Sequence, residues 1–475
     1  MPSDSHTATI PHADAARMIP FIVGCALFMQ MLDSTVVATA LPAMAESLGT
    51  TPVRLNVAIT SYLLAVAVFV PISGWAADRF GARKVFVSAI GLFMASSLAC
   101  ALSHSIAQLL IARVAQGIAG AMMVPVGRII LLRIVPKQDL LKAMTFLSMP
   151  ALLGPMIGPP LGGFLVTYAS WHWIFLINLP IGLLGIVMVR RYIGEFRDDT
   201  TPSLDWTGFL LSSVCLASLV ISFEAIGHQS LPIPAILGLT ATGLVCAFLY
   251  HAHARRQPRP ILDLTLMKNR TFAISVLGGN LCRFAVGGVP FLLAMLLQVG
   301  FGLTPLAAGL ITFASAVGSL LMKFVAQPIL QKLGFRHVLI VNAALTGIFV
   351  IACALFTPLT PGWAMIFILL LGGFFRSLQF TAINTLTFAD ISAEKMSSAS
   401  SFSAMAQQLG ISLGVAVAAT ALHLSTMVRG ADSLETIDVQ VGFLVIGLLC
   451  MLSIISFRKL RPEDGAQLRN KGKAA

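Results

Sequence analysis

Apolar stretches of about twenty residues recur along this 475-residue chain from near position 18 to position 457, and no segment between them is long enough to fold as a domain in water. A hydrocarbon core of about 30 Å takes about twenty helical residues at 1.5 Å each. The recurrence therefore dictates a chain that crosses a bilayer many times. The runs are uninterrupted rather than alternating with a period of two, which selects helices over a membrane barrel. With 57% hydrophobic and only 11% charged residues, the chain is solvated mainly by lipid. Fourteen spans are expected, near 18–40, 53–73, 85–103, 107–131, 142–166, 173–193, 206–226, 232–252, 272–297, 304–325, 337–357, 361–386, 400–422 and 438–457.

Charge sits in the connections. The net charge of +12 forms no basic face with interleaved aromatic residues, so nucleic acid is a poor partner and topology is the better account. With the amino terminus inside, one side collects Arg79, Arg83, Lys84, Arg133, Lys137, Arg190, Arg191, Arg197, Arg255, Arg256, Arg259, Lys268, Arg270, Lys332, Arg336, Lys395 and the tail from Arg458 to Lys473. The other side keeps Arg54 and Arg429. This alternation places both termini in the cytoplasm. Trp171, Trp173 and Trp363 fall at outer span ends, and Trp75 and Trp206 at inner ones, as interfacial aromatics do. Ala43-Met44-Ala45 has the form of a signal-peptidase site, but the run before it is long and carries Asp33, so we read it as a retained membrane helix. The seven cysteines are scattered singly and read as small apolar fillers rather than metal ligands or disulfide partners.

The two longest inner connections, 193–205 and 253–270, bracket a helix pair poor in buried polar groups apart from Glu224. The partition that follows is a cytoplasmic tail over 1–17, a six-helix bundle over 18–193, an inserted pair over 206–252, a second six-helix bundle over 271–457, and a cytoplasmic tail over 458–475. Placing Gly81 on Gly334 lays "DRFGARKVF" over "QKLGFRHVL", each after the second helix of its half, and makes the halves parallel repeats. Gln331 stands where Asp78 does, so only the first copy keeps the acid.

Polar residues inside the spans are the functional candidates, because charge at membrane depth is costly and tends to face a cavity or a partner. Asp33 lies about fifteen residues into the first helix, with Gln30 one turn earlier on the same face. It reads either as a proton-handling acid or as an acid held permanently by Arg113 or by backbone groups. Arg113, Gln116, Gly117 and Gly120 share one face of the fourth helix, either to tune a nearby acid or to pack it closely. In the fifth helix, Gly154, Gly158, Pro159, Gly162 and Gly163 combine a small-residue face with residues that bend a helix, which suits either a pivot or generic close packing. The second half offers Asn280 with Arg283, and Arg376 with Gln379, as cavity-lining pairs. One acid at depth, Asp33, thus stands against Arg113, Arg283 and Arg376, which makes an anionic or zwitterionic substrate a hypothesis.

The connection Gly74-x-x-x-Asp78-Arg79-x-Gly81-x-Arg83-Lys84 resembles the loop signature of the major facilitator superfamily. "LDSTVVATALP" (32–42), "LLIARVAQGIAGA" (109–121), "GPMIGPPLGGFL" (154–165) and "WHWIFLINLPIG" (171–182) resemble the motifs of its fourteen-helix, EmrB/QacA-like drug:proton antiporter branch, most of all the MdtD type. The resemblance implies two six-helix bundles plus two inserted helices. It also implies a transporter rather than an enzyme, a proton gradient as energy source with no cofactor and no metal, and small-molecule substrates. It assigns proton or cationic-substrate handling to Asp33, assistance by Arg113, a pivot to the Gly154–Gly163 motif, and a latch between the halves to Asp78. The bland reading of Arg79, Arg83 and Lys84, topological anchoring, stays open beside that latch. No phosphate-binding loop of the G-x-x-x-x-G-K-[ST] form occurs, so ATP does not supply the energy through that motif. Symport of an organic anion is the competing transport mode. The implied place is the inner membrane, with a monomer as the default and an accessory periplasmic partner open.

Overall fold

A computed structural model describes residues 13–50, 55, 57–195, 203–228, 231–258, 260–430 and 435–468. Fourteen helices in it are long and apolar enough to cross a membrane. In chain order they are α1 (Ala13–Ser47), α2 (Val57–Phe80), α3 (Ala82–Ala101), α4 (Ile106–Ile134), α5 (Leu140–Tyr168), α6 (Trp173–Tyr192) and α7 (Trp206–His228). The series continues with α8 (Ile233–Ala254), α9 (Arg270–Gly300), α10 (Pro305–Leu333), α11 (Phe335–Ala352), α12 (Gly362–Leu386), α13 (Met396–Arg429) and α14 (Thr436–Phe457). No strand occurs among the described residues.

The helix ends follow local chemistry. Ser105 accepts from the Gln108 amide to open α4, Asn269 accepts from Phe272 to open α9, and Thr304 accepts from Ala307 to open α10. A reciprocal Glu435–Asp438 capping box opens α14. Several spans outrun the expectation. The connections at 74–84 and 331–339 are almost wholly helical, because one residue suffices to turn the chain: Gly81 at φ +93° and Gly334 at φ +78°. A left-handed backbone of this kind is cheap only for glycine. The matching conformations fall at the two positions the repeat aligns. α13 begins before residue 400 because Ser397, Ser400, Ser401 and Ser403 are buried within the helix rather than opening it from a loop.

Two compact units divide the described residues, one within Met1–Pro136 and Phe146–Leu204, the other within Lys137–Thr145 and Asp205–Ala475. In the first, α4 packs on α2 and α3, α6 packs on α1 and α3, and α1 touches α4. In the second, α12 packs on α10 and α11, α14 packs on α9 and α11, and α9 touches α12. The second set of six repeats the neighbour relations of the first. The inserted α7 and α8 pack together through a Ser222–Thr240 bond of 2.7 Å, and α7 also lies against α13. The short stretch Lys137–Thr145 goes with the second unit, where Lys137 Nζ donates to the Ala389 carbonyl at 3.2 Å.

Lipid tails are as apolar as leucine, so helices associate through close packing and polar bonds rather than through expulsion of water. In the second unit, Gly287 faces the Ile411 carbonyl and Gly414 faces the Phe284 carbonyl so closely that neither site has room for a Cβ, which draws α9 onto α13.

Candidate functional site

The polar residues of α1 and α4 meet in a fully buried network. Arg113 Nη1 donates to Asp33 Oδ2 at 2.7 Å, and both side chains are 0% exposed. Asp33 Oδ1 accepts from Gln116 Nε2 at 2.8 Å and from Asn178 Nδ2 at 2.9 Å. Ser97 Oγ on α3 accepts from both amides, at 2.9 and 3.2 Å. Arg113 has further acceptors already in place: Gln116 Oε1 at 2.6 Å and the Ala58 carbonyl at 3.2 Å. Its guanidinium also lies 4.6 Å from the centre of the Tyr62 ring on α2. A Cβ at Gly120 would stand 2.9 Å from the Tyr62 hydroxyl and 3.1 Å from Gln30 Nε2, so this glycine makes room for both. Gly117 likewise lets α4 approach the Tyr62 backbone.

This arrangement joins α1, α2, α3, α4 and α6 around one carboxylate. A buried ion pair is strongly sensitive to loss of one partner, at about 3–5 kcal/mol. Arg113 cannot give up its proton, so neutralising Asp33 must send the guanidinium toward its neutral acceptors. Gln116 Oε1 and the Ala58 carbonyl already hold Nη1 and Nε, while Nη2 is buried without a hydrogen-bond partner, so the network can keep Arg113 in place in two states, with Asp33 ionised or neutral, without satisfying every donor in either.

Gly154, Gly158 and Gly162 bring α5 onto the same stretch of α1. A Cβ at Gly154 would stand 2.8 Å from Met31 Cβ and 2.9 Å from Leu32 N, while Cβ atoms at Gly158 and Gly162 would collide with the hydroxyls of Thr35 and Thr39. The three contacts flank Asp33 along α1. Gly163 differs, since nothing stands within 4 Å of its Cβ position. Three of the four glycines thus form the packing face, because one helical face admits every fourth residue and not the next one. The side chain of Pro159 lies outside the described residues.

At the 74–84 junction, Gly74 is buried on α2 and Asp78 Oδ1 accepts from Arg133 Nη2 at 2.6 Å. Arg133 ends α4 in the same unit, so this bond ties the C-terminal ends of α2 and α4 together. This bond stands beside the latch across the halves expected of Asp78 and does not replace it. Arg83 Nη2 donates to the Arg190 carbonyl at 2.6 Å, near the C-terminal end of α6. Arg79 and Lys84 are exposed. A Cβ at Gly81 would collide with the Glu195 carboxylate, so Glu195 closes over the turn.

In the second unit, Arg283 on α9 donates to Asn280 Oδ1 and to Asn384 Oδ1, both at 3.1 Å. Arg376 Nη2 donates to Ser315 Oγ at 2.6 Å. Gln379 accepts from Asn342 Nδ2 at 2.8 Å and donates to the Leu339 carbonyl at 3.3 Å. Arg283, Arg376 and Gln379 line one cavity, while Asn280 stays outside it and orients Arg283.

Sequence reasoning missed several participants. Asn178, Ser97 and Tyr62 complete the Asp33 network, and their only signal was a polar atom in an apolar run. Lys323, 3% exposed on α10, donates to Thr381 Oγ1 at 2.6 Å and adds a basic side chain at depth. Trp171 is buried rather than interfacial, stacked on His172, whereas Trp173 and Trp363 are exposed as expected. No group of three or more His, Cys, Asp or Glu suited to a metal occurs among the described residues. Arg54 lies outside the described residues.

The Major Facilitator Superfamily model matches residues 23–415 and again 275–475. The putative multidrug resistance protein MdtD of Escherichia coli strain SMS-3-5 is 41% identical over 413 residues, covering 86% of this chain and 87% of that protein. The same-named protein of Shigella flexneri matches to the same extent. Among solved structures, the human organic anion transporter MFSD10 superposes with a TM-score of 0.69 at 17% identity, covering 93% of this chain and 99% of that one. The proton:xylose symporter XylE, bound to 6-bromo-6-deoxy-D-glucose, superposes with a TM-score of 0.66 at 14% identity, covering 95% and 97%. At these identities the two structures speak for the fold alone. Fourteen spans, a repeated six-helix neighbour pattern and the family match together make this chain a multi-pass membrane transporter of the Major Facilitator Superfamily.

Proposed function

We propose that the protein exports small amphiphilic molecules in exchange for protons, by alternating access between its two six-helix halves. The observation that carries the coupling is the buried Asp33–Arg113 pair with neutral acceptors already beside the guanidinium. Ionised Asp33 holds Arg113 and, through Gln116, Asn178 and Ser97, ties α1 to α3, α4 and α6. Protonation removes the ionic half of that tie, and Arg113 settles on Gln116 and Ala58. The contacts of Gly154, Gly158 and Gly162 beside Asp33 transmit the change along the α1–α5 seam. Asp78 with Arg133 keeps the inner ends of α2 and α4 moving as one piece, and Arg79, Arg83 and Lys84 hold that end at the cytoplasmic surface.

The proton gradient supplies the energy, and no cofactor or metal takes part. The similarity to proteins named for multidrug resistance supports export. Cation alternation supports an inner-membrane location with both termini cytoplasmic, which reporter fusions at each connection would check. The inserted pair travels with the second half, and the working unit is a monomer. The test is transport in proteoliposomes under an imposed pH gradient, with a panel of cationic, neutral and anionic amphiphiles, beside Asp33→Asn. Gradient-driven accumulation in the parent and none in the variant supports the proposal. Accumulation that ignores the gradient overturns it.

A further inference from the structure

Helix α2 grips the guanidinium of Arg113 at two places one turn apart. Arg113 Nε donates to the Ala58 carbonyl at 3.2 Å, and Arg113 Cζ lies over the Tyr62 ring, 4.6 Å from its centre. Ala58 and Tyr62 stand at i and i+4, so a single face of α2 presents both. Tyr62 is 3% exposed, and Arg113 and Asp33 are fully buried. The seating of the ring is built into α4. A Cβ at Gly117 would stand 2.6 Å from the Tyr62 carbonyl oxygen, and one at Gly120 would stand 2.9 Å from the Tyr62 hydroxyl. Side chains at either position would therefore push Tyr62 away from Arg113. On the guanidinium itself, Nη1 is shared between Asp33 and Gln116, and Nη2 has no hydrogen-bond partner. The ring is a further neutral surface on which this charge rests.

The face of an aromatic ring carries negative potential, so it attracts a guanidinium and repels a carboxylate. Asp33 and Arg113 both lie within electrostatic reach of Tyr62. With Asp33 ionised, the attraction to one charge is opposed by repulsion from the other. With Asp33 protonated, the attraction alone remains. The ring thus interacts differently with the two states, which is the condition for biasing an equilibrium between them. Among the described residues, the charged or titratable groups facing the site are Asp33 from α1, Tyr62 from α2, Cys100 from α3 and Arg113 from α4. Helices α5 and α6 face it with glycines and the neutral Asn178. We infer that Tyr62 is a positioning residue for proton exchange, whose ring receives the guanidinium of Arg113 when Asp33 is neutral, so that protonation hands Arg113 from α1 to α2. The inference rests on the proton-exchange reading and gives it a direction: α4 stays tied to α2 while α1 loses its ionic tie.

The test is infrared difference spectroscopy of the purified full-length protein in detergent, without substrate or gradient. It follows the carbonyl band of protonated Asp33, identified by its absence in Asp33→Asn, as pH is varied. The midpoint is compared in the parent, in Tyr62→Leu, in Tyr62→Phe, and in Tyr62→Phe bearing one, two or three ring fluorines. Fluorine weakens the negative face at nearly constant shape, which separates the ring's electrostatics from its packing. Tyr62→Phe should keep the midpoint, and each added fluorine should lower it, because losing the ring's pull on Arg113 favours ionised Asp33. Tyr62→Leu should lower it by about 0.5–1 pH unit, or about three- to tenfold in proton affinity. A midpoint that stays flat across the fluorine series would overturn the inference. So would a shift already complete in Tyr62→Phe, which would give the role to the hydroxyl beside Gln30. A parent without any band sensitive to Asp33→Asn would defeat the proton-exchange reading and this inference with it, whereas a band that titrates but ignores the ring defeats this inference alone.

Discussion

Breaking the Asp33–Arg113 pair from one side or from both should give different costs. In Asp33→Asn, the carboxamide keeps the shape and can still meet Gln116 and Asn178, but Arg113 stays charged in a site with no exposure. Losing one partner of such a pair costs about 3–5 kcal/mol. Arg113→Gln strands the carboxylate instead and should cost a similar amount, offset partly by the two amide donors that remain on Asp33 Oδ1. The double variant strands no charge, and neutral amides can bond one another. Its cost should fall well below the sum of the single variants, leaving a coupling of about 2–3 kcal/mol. The assay is equilibrium unfolding of the purified protein in mixed micelles, run on all four members of the cycle. Transport should be lost in all three variants, including the stable double one, which separates function from folding. Additive costs, with coupling under about 0.5 kcal/mol, would mean that the pair is not an energetic unit, and the two-state argument would fail with it.

Further outcomes follow from the same contacts. Gly158→Val should cost about 1–3 kcal/mol by overpacking against Thr35, whereas Gly163→Ala should be silent; comparing their thermal midpoints in detergent checks this. Gly81→Ala must hold a left-handed backbone, at about 1–2 kcal/mol, and also displace Glu195, so adding Glu195→Ala should restore only part of the lost stability. At Asp263, burial pushes the carboxyl up, but bonds from Lys395 and Thr265 outweigh it and hold the pKa below the ordinary 3.8. The lowered value means that this tie is complete above the unfolded pKa and is lost as pH falls through the folded one. Lys395→Met should therefore cost under about 1 kcal/mol at neutral pH and nothing near pH 2, read from unfolding at both pH values.

Much of the architecture was legible because the bilayer imposes a length on every helix, and apolar runs of that length stand out in the sequence. Boundaries were less legible. Lys332 and Ser397 look like loop residues in a list, yet the helices continue through them to a glycine turn at Gly334 and into a buried serine face. Within the site, Asp33 and Arg113 were readable because a charge in an apolar run has few explanations. Their partnership with Asn178 was not, since Asn178 stands 145 residues from Asp33 and only packing brings them together. The glycine motif shows the same limit. Spacing identified the stripe, but only the neighbouring helix separated Gly163 from the three residues that touch α1.

Proton release on substrate binding tests the central claim most directly. Purified protein in weakly buffered detergent, monitored with a pH-sensitive dye, is mixed with a substrate identified in the proteoliposome panel. The account predicts proton release from the parent on substrate binding, and none from Asp33→Asn at saturating substrate. Equal release from parent and variant would contradict it, because the proton would then reside on a group other than Asp33.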